Sequence, residues 1–145
     1  ERLVFAPRAA LPDHLARQRL ADLFLDTLPC NAHTTASDAL WAGLPVLTCR
    51  GKTFAGRVAA SLLHAGGLPE LIAPSLGEYE VLALQFAREP ETLTAVKQTL
   101  AANRDACPLF DTAGYTRHLE AAFATMWERA QRGEAPAHFV VGYGT

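Results

Sequence analysis

The chain has 145 residues, half of them hydrophobic, which is enough for one compact domain with a sizeable core. Thirteen basic and 15 acidic residues give a formal net charge of −2, which argues against a nucleic-acid-binding module and against a polybasic membrane anchor. No apolar run reaches the roughly 18 residues of a transmembrane helix. Three widely spaced cysteines, Cys30, Cys49 and Cys107, are typical of reduced thiols in a cytoplasmic protein.

The first half of the chain alternates short β-like runs with helical segments. The chain opens directly on an apolar run without an initiator Met, so residues upstream of it are expected. Residues 3–5 are predicted to form a strand, and residues 12–20 a short helix. Residues 23–26 are apolar on both sides, as in a buried parallel strand. A helix is predicted over residues 34–42, ended by Gly43.

The second half begins with the same alternation and then becomes helical. Residues 46–48 and 71–73 are predicted strands, on either side of a helix over residues 53–64 with Thr53 as its N-cap. Apolar side chains at helical spacing predict three further helices. Their core-facing stripes are Tyr79, Leu82, Ala83 and Phe86; Leu93, Val96 and Leu100; and, on a helix over residues 113–132, Tyr115, Leu119, Phe123 and Met126.

Four strands alternating with helices indicate an α/β fold, with a Rossmann-like parallel sheet flanked by helices and ending in long helices. The domain is assigned to residues 1–132, and residues 133–145 form a polar tail. Ligands of such sheets bind beyond the carboxyl ends of the strands. The loops after Phe5, Leu25 and Leu47 are therefore where a site is expected.

The helix predicted to start at Thr34 carries the clearest candidate site. Unpaired N–H groups and the helix dipole favour a phosphate at such a start. His33, Thr34 and Thr35 would add donors, and Asp38, one turn further on, would accept hydrogen bonds from ribose hydroxyls. An equally open alternative is that Thr34 only caps the helix and Asp38 only favours its first turn.

Two further sets of polar residues share helix faces. His14 and Arg17 are three residues apart, so they lie on one face and suit stacking on a base and donation to its carbonyls. Without other support, a solvated face is the preferred interpretation of that pair. Arg57, Ser61 and His64 also share a face, interpreted as facing solvent or a neighbouring domain.

The sequence does not match a P-loop, a zinc site or a serine nucleophile elbow. Residues 51–53 read Gly-Lys-Thr, but a P-loop needs a glycine where the chain has Val46. Cys30 and His33 have no second pair of ligands at a spacing that would complete a zinc site, so no metal is expected. A G-x-S-x-G nucleophile elbow is also absent from the sequence.

Taken together, these segments resemble the C-terminal part of the catalytic region of the O-linked N-acetylglucosamine transferases, glycosyltransferase family 41. The resemblance extends over residues 2–140, and its most specific part is Asn-Ala-His-Thr-Thr followed by Asp-x-Leu-Trp-Ala-Gly. The stretches that carry it are residues 2–7, 20–27, 30–43 and 57–61, with Pro108-Leu-Phe110, Tyr115-Thr116 and Met126-Trp-Glu128 in support.

The resemblance implies a GT-B glycosyltransferase that transfers N-acetylglucosamine from UDP-GlcNAc to Ser or Thr of a protein acceptor, with inversion and without a metal or other cofactor. It also implies an N-terminal catalytic half and tetratricopeptide repeats outside this chain. The chain alone is then expected to be inactive. Two alternatives are a Spindly-like protein O-fucosyltransferase that uses GDP-fucose, and a non-catalytic protein-interaction domain.

For the base, the resemblance implies three contacts. His14 would stack near the uracil, Arg17 would reach its edge, and the backbone of Ala9 would also touch it. One departure is Leu11, since the family often has a Lys near this position that reaches the ribose. That contact is not expected here.

For the rest of the donor, the resemblance implies that His33, Thr34 and Thr35 hold the diphosphate and that Asp38 holds the ribose. His33 would stabilise the leaving group, and Cys30 would lie near the sugar. The family's catalytic bases lie in its N-terminal half, so none is expected among these residues.

Overall fold

The computed structural model describes residues 2–141, which form an α/β domain around a three-stranded parallel sheet. The elements in chain order are α1 (Leu11–Gln18), β1 (Phe24–Leu25), α2 (Thr34–Ala42), β2 (Val46–Cys49), α3 (Val58–Ala65), a 3-10 turn (Pro69–Leu71), β3 (Ile72–Ala73), α4 (Leu76–Arg88), α5 (Pro90–Asn103) and α6 (Thr112–Gln131). The predicted fold class is confirmed by this order.

The central strand β2 sets the position of the other two. Phe24 of β1 lies beside Val46, and Thr48 lies beside Ile72 of β3, both pairs running parallel. All four residues of β2 are buried, as expected for a parallel strand covered on both faces. The loops after β1 and β2 consequently leave the same edge of the sheet side by side.

Helix α2 is held in place by an apolar face. Ala36, Ala39 and Leu40 are fully buried in the core, and Gly43 ends the helix with a positive φ of 89°. A residue with a Cβ would be strained in that backbone conformation, which is why glycine suits the C-terminal end. Burial of Leu40 alone contributes roughly 1.5–3 kcal/mol. The predicted bounds of this helix, 34–42, are confirmed.

Helix α4 packs on β2 and β3, and α5 packs on α4, with their predicted apolar stripes turned toward the core. Phe86, Val96 and Leu100 are buried in the core, and Tyr79 packs against it. Ser75 caps α4 by accepting a hydrogen bond from the Glu78 N–H at 3.2 Å. No helix within residues 2–141 combines the length and apolarity needed to cross a membrane.

The strand predicted at residues 3–5 is not present, so the described part of the chain has three strands, not four. Leu3, Val4 and Phe5 have no strand partner and are exposed, Phe5 to 91%. A strand is stable only when its backbone groups pair with a neighbour, and three apolar residues bury too little area to replace that pairing. The prediction considered only the local apolar run.

The helix predicted over residues 53–64 starts later, at Val58. The Thr53 hydroxyl accepts a hydrogen bond from the Gly56 N–H at 3.2 Å, so it closes a turn and does not cap a helix. The Gly51 N–H also donates to the Gly56 carbonyl at 2.6 Å, and a Cβ on either glycine would crowd the other's backbone. These contacts keep residues 51–57 in a compact loop.

The stripe predicted to be core on α6 is exposed. Tyr115, Phe123 and Met126 are each more than half exposed, and Leu119 is 38% exposed. The helical spacing was correct, since α6 spans Thr112–Gln131, but its apolar side stays largely exposed within residues 2–141. An apolar stripe defines a face and does not by itself identify what covers it.

Candidate functional site

The N-terminus of α2 lies at the carboxyl edge of the sheet and has free backbone donors. His33 is the N-cap residue and forms no side-chain cap. The first hydrogen bond of the helix runs from the Ser37 N–H to the His33 carbonyl at 3.1 Å. Within residues 2–141 the N–H groups of Thr34 and Thr35, both exposed residues, have no acceptor. Such a group of donors at the positive end of a helix suits an anion.

A buried carboxylate connects the sheet to this helix. Oδ1 of Asp26 accepts hydrogen bonds from the N–H groups of Thr27 at 2.8 Å and Ala32 at 2.6 Å. Oδ2 accepts from the Thr48 hydroxyl at 2.6 Å, and the Tyr79 hydroxyl donates to the Asp26 carbonyl at 2.9 Å. Asp26 was not predicted as a site residue, although an acid at the end of a buried strand is a recognisable signal. It fixes the loop that leads into α2.

Asn31 is the second residue that the sequence analysis missed. The residue is 4% exposed. Its backbone N–H donates to the Ala55 carbonyl at 2.8 Å, and its side-chain Nδ2 donates to the Thr27 carbonyl at 2.9 Å. Oδ1 of Asn31 is buried without a hydrogen-bond partner in the described residues. Because an unpaired buried acceptor costs free energy, this oxygen marks a place that a donor group would stabilise.

His33 is half-buried and held by the loop that follows β2. Its Nε2 lies 3.3 Å from the Ala55 carbonyl, and its ring meets the Phe54 ring edge-on with centroids 6.2 Å apart. A carbonyl oxygen only accepts, so this contact places a proton on Nε2. Nδ1 of a neutral ring then carries a lone pair, and it donates only when the imidazole is protonated.

The remaining predicted residues of the diphosphate and sugar region lie around this helix start. Thr34 and Thr35 are exposed, and Asp38 is half-buried one turn into α2. Cys30 is exposed, with its Sγ 3.6 Å from the Asn31 carbonyl oxygen. The structure therefore brings His33, Thr34, Thr35, Asp38 and Cys30 to one end of α2.

The predicted base-binding residues form a separate group on α1, which packs against α2. Arg17 donates from one guanidinium nitrogen to Nδ1 of His14 at 3.1 Å and from another to the Pro7 carbonyl at 2.8 Å. Ala9 and Leu11 are exposed. Within residues 2–141 no hydrogen bond joins this group to the residues at the start of α2.

Two titratable groups near the ends of β1 and β2 are kept uncharged. Burial raises the pKa of the Cys49 thiol, and the nearby Glu78 carboxylate raises it further. Burial also raises the pKa of Tyr79, with smaller contributions from Asp26 and Cys49. Both groups are therefore neutral around pH 7, and Tyr79 keeps the proton that it donates to Asp26.

Within residues 2–141, no three His, Cys, Asp or Glu side chains are gathered so that they could hold a metal ion.

A parallel sheet with a helix N-terminus at its carboxyl edge is the architecture of the Rossmann-like half-domain of a GT-B glycosyltransferase, and a solved structure shares it. That structure is a mutant O-GlcNAc transferase from Thermobaculum terrenum, with a TM-score of 0.80 and 37% sequence identity. The match covers 90% of this chain and 24% of the solved one.

The sequence comparisons define the family. The model of glycosyl transferase family 41 matches residues 1–119. The chain is 42% identical over 142 residues to a probable UDP-N-acetylglucosamine–peptide N-acetylglucosaminyltransferase, SEC, of Arabidopsis thaliana. It is 38% identical over 132 residues to the UDP-N-acetylglucosamine–peptide N-acetylglucosaminyltransferase of Caenorhabditis elegans. The chain belongs to glycosyl transferase family 41.

The relatives are much longer than this chain. The alignments cover 97% of it and 14% of the Arabidopsis protein, and 91% of it and 12% of the C. elegans protein. A rice relative named SPINDLY, also described as a probable UDP-N-acetylglucosamine–peptide N-acetylglucosaminyltransferase, is 38% identical over 125 residues, or 86% of this chain and 14% of its own length. The chain thus corresponds to about one seventh or less of these proteins.

Proposed function

We propose that the chain is the UDP-binding part of a protein O-GlcNAc transferase, which transfers N-acetylglucosamine from UDP-GlcNAc to Ser or Thr of a protein acceptor. The observation that carries the proposal is the pair of free N–H donors on the exposed residues Thr34 and Thr35. Those donors lie at the positive end of a helix whose position is fixed by the sheet, which suits the diphosphate of a nucleotide sugar.

In this proposal the diphosphate lies against the start of α2. The exposed hydroxyls of Thr34 and Thr35 add donors to the backbone N–H groups, and the Asp38 carboxylate accepts from the ribose hydroxyls. His14, Arg17 and the Ala9 backbone contact the uracil, and Cys30 lies near the sugar.

The share of catalysis that these residues hold is leaving-group stabilisation. The acceptor hydroxyl attacks the anomeric carbon with inversion, the bond to the β-phosphate oxygen breaks, and negative charge grows on the departing UDP. N–H groups already aimed at that oxygen stabilise the charge without reorganising. His33 contributes a ring N–H, either as a neutral imidazole or as an imidazolium. No metal or other cofactor is assigned a role.

The other parts of the reaction are assigned to regions outside this chain. The general base, the opposite wall of the cleft and tetratricopeptide repeats belong to the longer protein, with the protein acceptor as partner in the cytoplasm. Residues 1–132 are the nucleotide-sugar-binding unit and residues 133–145 a tail. The alignments cover only 14% and 12% of the two relatives, which supports the assignment of the other functions to regions outside this chain.

The experiment compares donors. A complete transferase containing this chain is incubated with an acceptor protein and either labelled UDP-GlcNAc or labelled GDP-fucose, and the chain alone is assayed in parallel. The proposal expects transfer only from UDP-GlcNAc, and only by the complete protein. Transfer from GDP-fucose alone would establish the Spindly-like alternative. No transfer and no nucleotide binding would favour an interaction domain.

A further inference from the structure

A groove runs along the exposed face of α3, beside the start of α6, outside the residues assigned to the donor. Its volume is 870 Å³, and three of its nine lining residues carry a cationic or imidazole side chain. The polar and aromatic residues that line it are Arg50, Phe54, Arg57, Ser61, His64 and Tyr115. Its remaining lining includes the half-buried apolar side chains of Val58 and Leu62.

The basic side chains of this groove lack acidic partners. Within residues 2–141, Arg50, Arg57 and His64 form no ion pair, and no carboxylate lines the groove. Five cations elsewhere in the described residues are paired, such as Lys97 with Asp22 at 2.8 Å, whereas others, such as Arg19 and Arg88, form no ion pair either. The groove differs from these single sites in gathering three unpaired basic side chains. Because the whole chain has a net charge of −2, this local excess of positive charge is a property of the groove and not of the composition.

The spacing of the basic groups matches an extended peptide. Arg57 is the N-cap residue directly before α3 and His64 lies on its last turn, seven positions apart, which is about 10 Å at 1.5 Å per residue. Three residues of extended chain span about the same length. The groove starts next to the candidate site, because Phe54, which lines it, lies against the His33 ring.

We propose that this groove binds an extended acidic segment of the protein acceptor, with carboxylates directed at Arg50, Arg57 and His64. The inference rests on the proposed transfer to a protein. Guanidinium groups bind carboxylates with paired hydrogen bonds, while Phe54 and Tyr115 offer exposed rings to the segment's apolar atoms. A free inorganic anion would leave the apolar lining uncovered, which favours a polypeptide as the occupant.

The test measures peptide binding to the chain without nucleotide. A fluorescein-labelled peptide with Glu residues flanking a Ser is titrated by fluorescence anisotropy, beside a version with Gln for every Glu. The Glu peptide is expected to bind more tightly, and added salt should weaken it. Arg57→Gln should raise its Kd up to about fivefold, the size expected for one exposed ion pair. The matched control is Arg88→Gln on α4, which should leave the Kd unchanged.

A charge exchange gives a second readout that loss of structure cannot imitate. Arg57→Glu should weaken binding of the Glu peptide and strengthen binding of a matching peptide that has Lys in place of each Glu. Equal binding of the Glu and Gln peptides, or equal effects of Arg57→Gln and Arg88→Gln, would overturn the inference. Displacement by millimolar inorganic phosphate with no dependence on peptide sequence would overturn it in favour of a small-anion site.

The same variants separate this inference from the proposed function. UDP titration of Arg57→Gln reports on the start of α2 independently of the peptide. UDP binding with no preference for the Glu peptide would reject the groove and keep the donor site. A preference for the Glu peptide without UDP binding would reject the donor site and leave an acidic-peptide groove on another kind of protein.

Discussion

The Thr48 hydroxyl donates a 2.6 Å hydrogen bond to Oδ2 of Asp26, and both residues are buried at the carboxyl edge of the sheet. The other carboxylate oxygen accepts from the Ala32 N–H at 2.6 Å, two residues before α2 begins. This pair therefore joins β1 and β2 to the loop that positions the candidate diphosphate site. Neither residue is assigned a contact with the donor.

Thr48→Val tests that connection. The change keeps the side-chain shape and removes the donor, leaving one buried carboxylate oxygen of Asp26 without its partner. The free energy of unfolding should fall by about 1–3 kcal/mol, measured by urea denaturation. Thr99→Val on α5 removes a hydroxyl that only reaches the Ala95 carbonyl on the helix surface, and it should change stability by less than about 0.5 kcal/mol. Equal effects would show that Thr48 contributes only through its shape.

Alkaline pH should destabilise the fold through Cys49 and Tyr79. Both have pKa values raised in the folded state, so their contribution is complete below the ordinary values of 9.0 and 10.0 and is lost as pH rises above them. Urea denaturation at pH 7, 9 and 10.5 should show this decline. The double variant Cys49→Ala, Tyr79→Phe should start less stable and decline less steeply. A decline of unchanged steepness would exclude these two groups as its cause.

Replacement of His33 and His14 in the complete transferase should distinguish stabilisation of the leaving group by His33 from stacking on the base by His14. His33→Ala removes a donor used most in the transition state, so kcat should fall roughly 100- to 1,000-fold. His14→Ala should mainly raise KM, because stacking on the base changes little during the reaction. Steady-state kinetics with varied UDP-GlcNAc measures both. An increase in KM alone for His33→Ala would limit that residue to ground-state binding.

The thiols should react in two classes. Cys30 is exposed, whereas Cys49 and Cys107 are buried, so one thiol should react rapidly with iodoacetamide and two only on unfolding. Cys30→Ala should abolish the rapid phase. If Cys30 lies near the sugar, UDP-GlcNAc should slow its alkylation, measured by mass spectrometry, whereas uridine should not. Unchanged alkylation at saturating donor would remove Cys30 from the site.

The parts of the fold that depend on local signals were predicted well. Helix α2 was predicted with its bounds because an apolar face and Gly43 both lie within the segment. The strand at residues 3–5 was wrong because a strand needs a partner, which an apolar run does not identify. The prediction that the α6 stripe with Tyr115 belongs to the core was wrong for the same reason. Contacts distant in sequence decided both cases.

In the candidate site, too, features set by local sequence were predicted and features set by distant contacts were not. The donors at Thr34 and Thr35 could be predicted because a helix start has unpaired N–H groups whatever surrounds it. The roles of Asp26 and Asn31 could not, since their partners Thr48 and Ala55 come from another loop and strand. Such supporting contacts depend on the register of the sheet, which the sequence pattern did not determine.

The most direct test of the account is a UDP titration of the isotope-labelled chain followed by amide NMR shifts. The account predicts weak, saturable binding, roughly millimolar, because the chain holds only part of the proposed site. The largest shifts should fall on the N–H signals of Thr34 and Thr35, and uridine without phosphates should leave those signals unmoved. Saturable shifts confined to other regions, or identical shifts with uridine, would contradict a diphosphate site at the start of α2.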